Sequence, residues 1–126
     1  MATTTEFVKS REVREVTVTL TYADVTSALM FRLPNGARII DWVINVGVAF
    51  AGGTAELDAG TINDGDYYVD GASLAAVGRA AIGTALIQPG AVVTAVAPIY
   101  MNVGAGNTAG EVDVTCLFSM ETDKRF

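Results

Sequence analysis

The run Leu33-Pro34-Asn35-Gly36-Ala37-Arg38-Ile39-Ile40-Asp41-Trp42-Val43-Ile44-Asn45-Val46 constrains this chain most. Pro-Asn-Gly is a turn signal. It separates one short apolar stretch from a long run of β-branched residues. Phe50-Ala51-Gly52-Gly53-Thr54 follows shortly after, and then Asp64-Gly65-Asp66-Tyr67-Tyr68. Long extended runs punctuated by glycine-rich corners predict strands joined by tight turns.

Apolar residues and threonines alternate from Val16 through Val18, Leu20 and Tyr22, which predicts a first strand. Leu29, Phe31 and Leu33 predict a second. Ala37 to Phe50 predicts a long third strand with Ile40, Trp42, Ile44, Val46, Val48 and Phe50 on its core face. Thr54–Thr61 reads as a shorter strand with Leu57 inward. Asn63–Gly71 reads as a polar loop, and Gly71–Val77 as a segment able to hold one helical turn. Ala80–Ile87 is weakly strand-like, and Pro89-Gly90 is a turn. Ala91–Val103 predicts a second long strand. Gly110–Met120 predicts a closing strand with Val112, Val114, Cys116 and Phe118 inward. Seven to eight strands at this spacing predict an all-β fold, an antiparallel β-sandwich of jelly-roll type. No βαβ pattern calls for a parallel sheet. The expected organisation is one domain over 1–126, with a flexible amino-terminal arm over about 1–12 and a short tail over about 121–126.

Composition narrows the chemistry. At 126 residues, 51% apolar and 17% charged, the chain is long enough for a hydrophobic core. It has no histidine, which removes the commonest general base and transition-metal ligand. The lone Cys116 lies in an alternating apolar run and reads as a buried thiol. Net charge is −6, and between Ile40 and Met120 there are eight acidic side chains against one basic, Arg79. No basic stripe for phosphate binding runs along that middle, so no nucleic-acid partner is expected. No apolar run is long enough for a membrane helix, and Met-Ala-Thr-Thr-Thr does not read as a signal peptide. A soluble protein made in a cytosol is expected.

Asp58, Asp64, Asp66 and Asp70 crowd one loop region. Oxygen ligands suit calcium, but their spacing does not match a calcium loop, and turn chemistry explains Asp and Asn beside Gly. Gly52-Gly53-Thr54 and Gly104-Ala105-Gly106 lack the Gly-Lys-Ser/Thr of a phosphate loop. Glu56 and Asp58 stand two apart on one strand, without the aromatics of a sugar cleft. No catalytic, cofactor-binding or metal residue is therefore expected, and no cofactor. The basic residues gather near the ends, as Lys9, Arg11, Arg14, Lys124 and Arg125. These are the expected partner-contact residues.

Leu33-Pro34-Asn35-Gly36-Ala37-Arg38, Ala49-Phe50-Ala51-Gly52-Gly53-Thr54, Asp64-Gly65-Asp66-Tyr67 and Thr108-Ala109-Gly110-Glu111-Val112 together carry a resemblance. In their order and spacing, the chain resembles small β-sandwich virion structural proteins of tailed bacteriophages. It covers roughly Leu29 to Val114; the two terminal segments match no family pattern. The resemblance implies a non-enzymatic particle protein, expected as a decoration or cement subunit that binds and stabilises the head shell. The alternatives are a head-fibre, neck or tail component, and a carbohydrate-binding β-sandwich module. It implies partnership with a major capsid protein or another virion protein, on the outer capsid surface. A homo-oligomer, dimer or trimer, is also expected.

Overall fold

The computed structural model describes the backbone of residues 7–80 and 95–125, and the side chains of 12–80 and 95–120. Eight strands follow one another: β1 (Phe7–Thr21), β2 (Ala28–Leu33), β3 (Arg38–Ala51), β4 (Glu56–Gly60), β5 (Val69–Ser73), β6 (Gly78–Ala80), β7 (Ala97–Val103) and β8 (Ala109–Arg125). They form two four-stranded sheets, β1-β8-β3-β6 and β2-β7-β4-β5, with every pairing antiparallel. The pairs β1/β8, β2/β7, β3/β6 and β4/β5 all occur. A long hairpin rolled up on itself produces this order, so the sandwich is a jelly roll, as the sequence pattern predicts.

Alternation along the strands supplies the core. Trp42, Ile44 and Val46 on β3 stand opposite Cys116, Val114 and Val112 on β8. All six are buried, and Leu20 extends their layer from β1. The facing sheet contributes Leu33, Leu57, Ala59, Val69, Ala72, Ile99, Met101 and Val103. Trp42 is fully buried, and its ring lies against Phe31 and Tyr68, with centroids 6.3 and 5.7 Å apart. Tyr67 meets Tyr68 edge-on at 4.9 Å. A single aromatic row thus runs from the core toward solvent.

Simple alternation fails on β3 at three points. The register against β8 shifts between Ile39 and Asp41, between Val46 and Val48, and between Val48 and Ala51. An extra residue at a bulge turns the following side chains over. Ile39 is therefore buried and Ile40 is 42% exposed, while Val48 is exposed and Phe50 is buried again. The core face expected to include Ile40 and Val48 is corrected to Ile39, Trp42, Ile44, Val46 and Phe50. Leu29 on β2 is likewise exposed, beside a register shift at Met30.

Three further expectations change. Gly71–Val77 holds no helical turn: Val69–Ser73 is β5, paired to β4. β1 begins at Phe7, before Val16, so residues 7–12 are strand and not a loose arm. β8 runs to Arg125, so residues 121–125 are strand and not a tail. The physical reason is mutual: each segment is the other's ladder partner, from Phe7 opposite Arg125 to Glu12 opposite Met120. Residues 1–6 lie outside the described residues. So do the weak strand at Ala80–Ile87 beyond its first residue, the Pro89-Gly90 turn, and the first part of the Ala91–Val103 strand.

Candidate interaction surface

The two ends of the roll differ. At one end the loops after β1, β3, β5 and β7 are tied by main-chain hydrogen bonds. Thr54 N–H donates to Ala105 C=O (3.0 Å), Thr108 N–H to Ala51 C=O (2.8 Å), Leu74 N–H to Ala55 C=O (2.8 Å) and Val103 N–H to Asp24 C=O (2.9 Å). The Asn107 amide adds two donations, to Thr54 C=O (2.7 Å) and Gly104 C=O (2.9 Å). Here Gly53 lies directly on the Ala105 carbonyl and Gly104 directly on that of Thr54; a Cβ on either glycine would collide with main chain. The Gly52-Gly53-Thr54 and Gly104–Gly110 motifs, far apart in sequence, are thus the two halves of one corner. They exist for close backbone approach, not for holding phosphate.

The opposite end carries the Leu33–Arg38 turn, the β4–β5 loop, the start of β1 and the end of β8. β3 pairs with β8 only as far as Arg38 opposite Ser119. Beyond that point β8 keeps β1 alone as a neighbour among the described residues, over Met120–Arg125 opposite Phe7–Glu12. A two-stranded ribbon therefore projects past the sheet.

All five expected contact residues fall on or beside this ribbon. Lys9 stands opposite Asp123, Arg11 opposite Glu121, Arg14 opposite Phe118, Lys124 opposite Val8, and Arg125 opposite Phe7. The register brings them together, but as a mixed-charge ladder. Of the five, only Arg14 has its side chain among the described residues; it meets Glu12 at 3.1 Å with both groups exposed. Sequence reasoning missed the apolar positions at this end: Val13 is 63% exposed and Ile62 72% exposed, and Ile40 joins them through the bulge. Val13 and Ile62 had no signal beyond being apolar in polar surroundings. Ile40 was concealed by the assumption of unbroken alternation.

The acidic loop is built by its own backbone. Thr61 N–H donates to Asp64 C=O (2.8 Å), and Asp64 N–H to Thr61 Oγ1 (2.9 Å). A hydrogen bond with the Asp66 side chain raises the Asp64 pKa above the usual carboxylate range, with desolvation and the Asp66 charge adding to it. Burial raises that of Asp58, with Asp66, Asp70 and Glu56 reinforcing; the Gly71 N–H, donating to Oδ1 at 2.8 Å, opposes the shift. No trio of metal-ligating side chains converges among the described residues. Cys116 is buried, and burial pushes its thiol up to about 12, so it is no nucleophile at neutral pH.

These features define a small jelly roll with one knitted end and one ribbon-bearing end. Its fold is similar to that of a chain in the capsid asymmetric unit of cyanophage Pam1. The identity is 17% and the TM-score 0.52, and the match covers 94% of this chain and 89% of that one. No family model matches the sequence, and no curated protein does.

Proposed function

We propose that this protein is a non-enzymatic virion structural subunit, a decoration or cement protein that binds the major capsid protein on the outside of the head and stiffens the shell. The observation that carries the reading is the end-to-end likeness of its fold to a capsid chain. The match spans nearly all of both chains, so they are close in length as well as in topology. The motif resemblance to small phage virion proteins points the same way. The architecture suits the task. A closed sandwich core and a knitted corner make a stiff body, while the ribbon-bearing end offers the exposed Val13, Ile40 and Ile62 and the ribbon for contact. Many modest contacts on a repeating shell then add through avidity.

The test adds purified protein to shells assembled without it. Co-sedimentation, saturable and followed by stoichiometric density on the outer surface in an electron-microscopy map, is the expected result. Density confined to a neck, fibre or tail would move the protein to that position. Failure to bind shells at any concentration would overturn the reading.

A further inference from the structure

Among the described residues β1 is the edge of its sheet, fifteen residues long, without proline or glycine. Long regular edges recruit other strands unless something blunts them. Its charges offer the clue. The segment Arg11-Glu12-Val13-Arg14-Glu15 reads basic, acidic, apolar, basic, acidic. Laid antiparallel against a second copy with Val13 opposite Val13, it sets Arg11 opposite Glu15 and Glu12 opposite Arg14, in both directions. No like charges meet. Shifting by one residue either way sets Arg14 opposite Arg11, or Glu15 opposite Glu12. Parallel in-register pairing sets every charge against its own kind.

We propose that two copies of this chain pair through β1, antiparallel about a two-fold axis at Val13, joining the two four-stranded sheets into one. This gives a specific form to the homo-oligomer expected from the sequence, and it does not depend on shell binding. Three observations support it. The residues around the axis, Glu12–Glu15, are all exposed, and Val13 is an exposed apolar side chain at its centre. The Glu12–Arg14 ion pair within one chain (3.1 Å) already holds the two charges side by side, ready to meet the same pair inverted. Opposite charges across a strand pair favour it, and like charges oppose it. Finally, the ribbon Phe7–Glu12/Met120–Arg125 is only two strands wide, and two-stranded ribbons are marginal alone. In this register Phe7–Glu12 lies beside Arg14–Thr19 of the second copy. Each ribbon thereby gains a third strand.

The test uses the full chain without shells. Sedimentation equilibrium is expected to give twice the 13.1 kDa protomer mass. Arg14→Glu sets acid against acid on both sides of the axis and is expected to weaken the dimer at least tenfold. Adding Glu12→Arg to it restores the opposite pairing and the dimer. Paired Cα atoms across antiparallel strands stand about 4.5–5.5 Å apart, within disulfide reach. Val13→Cys is therefore expected to cross-link to itself under diamide, which takes up the two electrons and two protons. The buried, high-pKa Cys116 does not compete. Thr17→Cys, also exposed, stands roughly 27 Å from its own copy in this register and is expected to stay uncross-linked. A monomer or trimer in solution, cross-linking at Thr17→Cys but not at Val13→Cys, or failure of the double charge swap to restore a dimer that Arg14→Glu abolishes, would each overturn the proposal. None of these outcomes bears on whether the protein binds shells.

Discussion

Trp42 separates two contributions that usually travel together, apolar burial and polar satisfaction. Its ring is fully buried between Phe31 and Tyr68, yet its indole N–H has no acceptor among the described residues. Removing an indole from water buries on the order of 200 Å². At ~25 cal/mol per Å² that is about 5 kcal/mol. Trp42→Ala is expected to cost about 4–5 kcal/mol, a large part of the ~5–15 kcal/mol that holds a domain folded. Trp42→Phe keeps most of the apolar area and removes a donor whose burial costs about 1–3 kcal/mol. The smaller ring leaves a gap of similar cost, so the net change is expected within about 1.5 kcal/mol. Urea unfolding followed by far-ultraviolet circular dichroism measures both, because Trp42 is the only tryptophan and its removal abolishes the fluorescence probe. If Trp42→Phe proves nearly as damaging as Trp42→Ala, the N–H is hydrogen-bonded in the folded protein and the reasoning fails. If Trp42→Ala costs less than about 1 kcal/mol, Trp42 is not the centre of the core.

Gly53→Ala is expected to cost about 3 kcal/mol, because its Cβ would strike the Ala105 carbonyl and force the knitted corner open. Gly36→Ala meets open space and carries only the strain of its positive φ of 87°, about 1 kcal/mol; thermal melts rank the two, and the reverse order would refute the close-approach argument. Asp58 is harder to ionise when folded, so its charge costs stability above that raised pKa, and the cost disappears as pH falls and the carboxyl protonates. Asp58→Asn, which keeps an oxygen for the Gly71 N–H, is therefore expected to raise the melting temperature at pH 7 and to lose that advantage toward pH ~4; a lower melting temperature at pH 7 would show that the carboxylate is needed. Cys116 is expected to react with a thiol reagent at neutral pH only on the timescale of unfolding, and rapid labelling of the native protein would contradict its burial.

Period-two patterning made most of the core legible in the sequence. Val112, Val114, Cys116 and Phe118 are inward on β8, and Ile99, Met101 and Val103 on β7, as alternation requires. What alternation cannot carry is a bulge. Ile40 and Val48 satisfy every local criterion for the core face, and only the pairing of β3 with β8 turns them outward. The glycine motifs were legible as corners but not as partners of each other, because the contact of Gly53 with Ala105 spans distant parts of the chain. The terminal segments were misread for a related reason. Lys, Arg, Glu and Ser in Phe7–Glu12 look like a solvated arm when taken alone. They form a strand because Met120–Arg125 supplies the other half of the ladder.

That pairing changes the meaning of the terminal charges. Read along the sequence, Lys9, Arg11, Arg14, Lys124 and Arg125 are basic ends on an acidic chain. Read across the ladder, Lys9 stands opposite Asp123 and Arg11 opposite Glu121, with Glu12 and Glu15 interleaved. Five basic residues therefore share the ribbon and its root with four acidic ones, which makes a weak source of long-range attraction. Charge of this kind selects register and partner orientation more than it supplies affinity. In the proposed contacts, affinity then rests on main-chain pairing along β1 and on burying the exposed Val13, Ile40 and Ile62. A sandwich already knitted at its far end can offer such an edge without loosening its own core, because the hydrogen bonds that close the corner lie at the opposite pole of the roll.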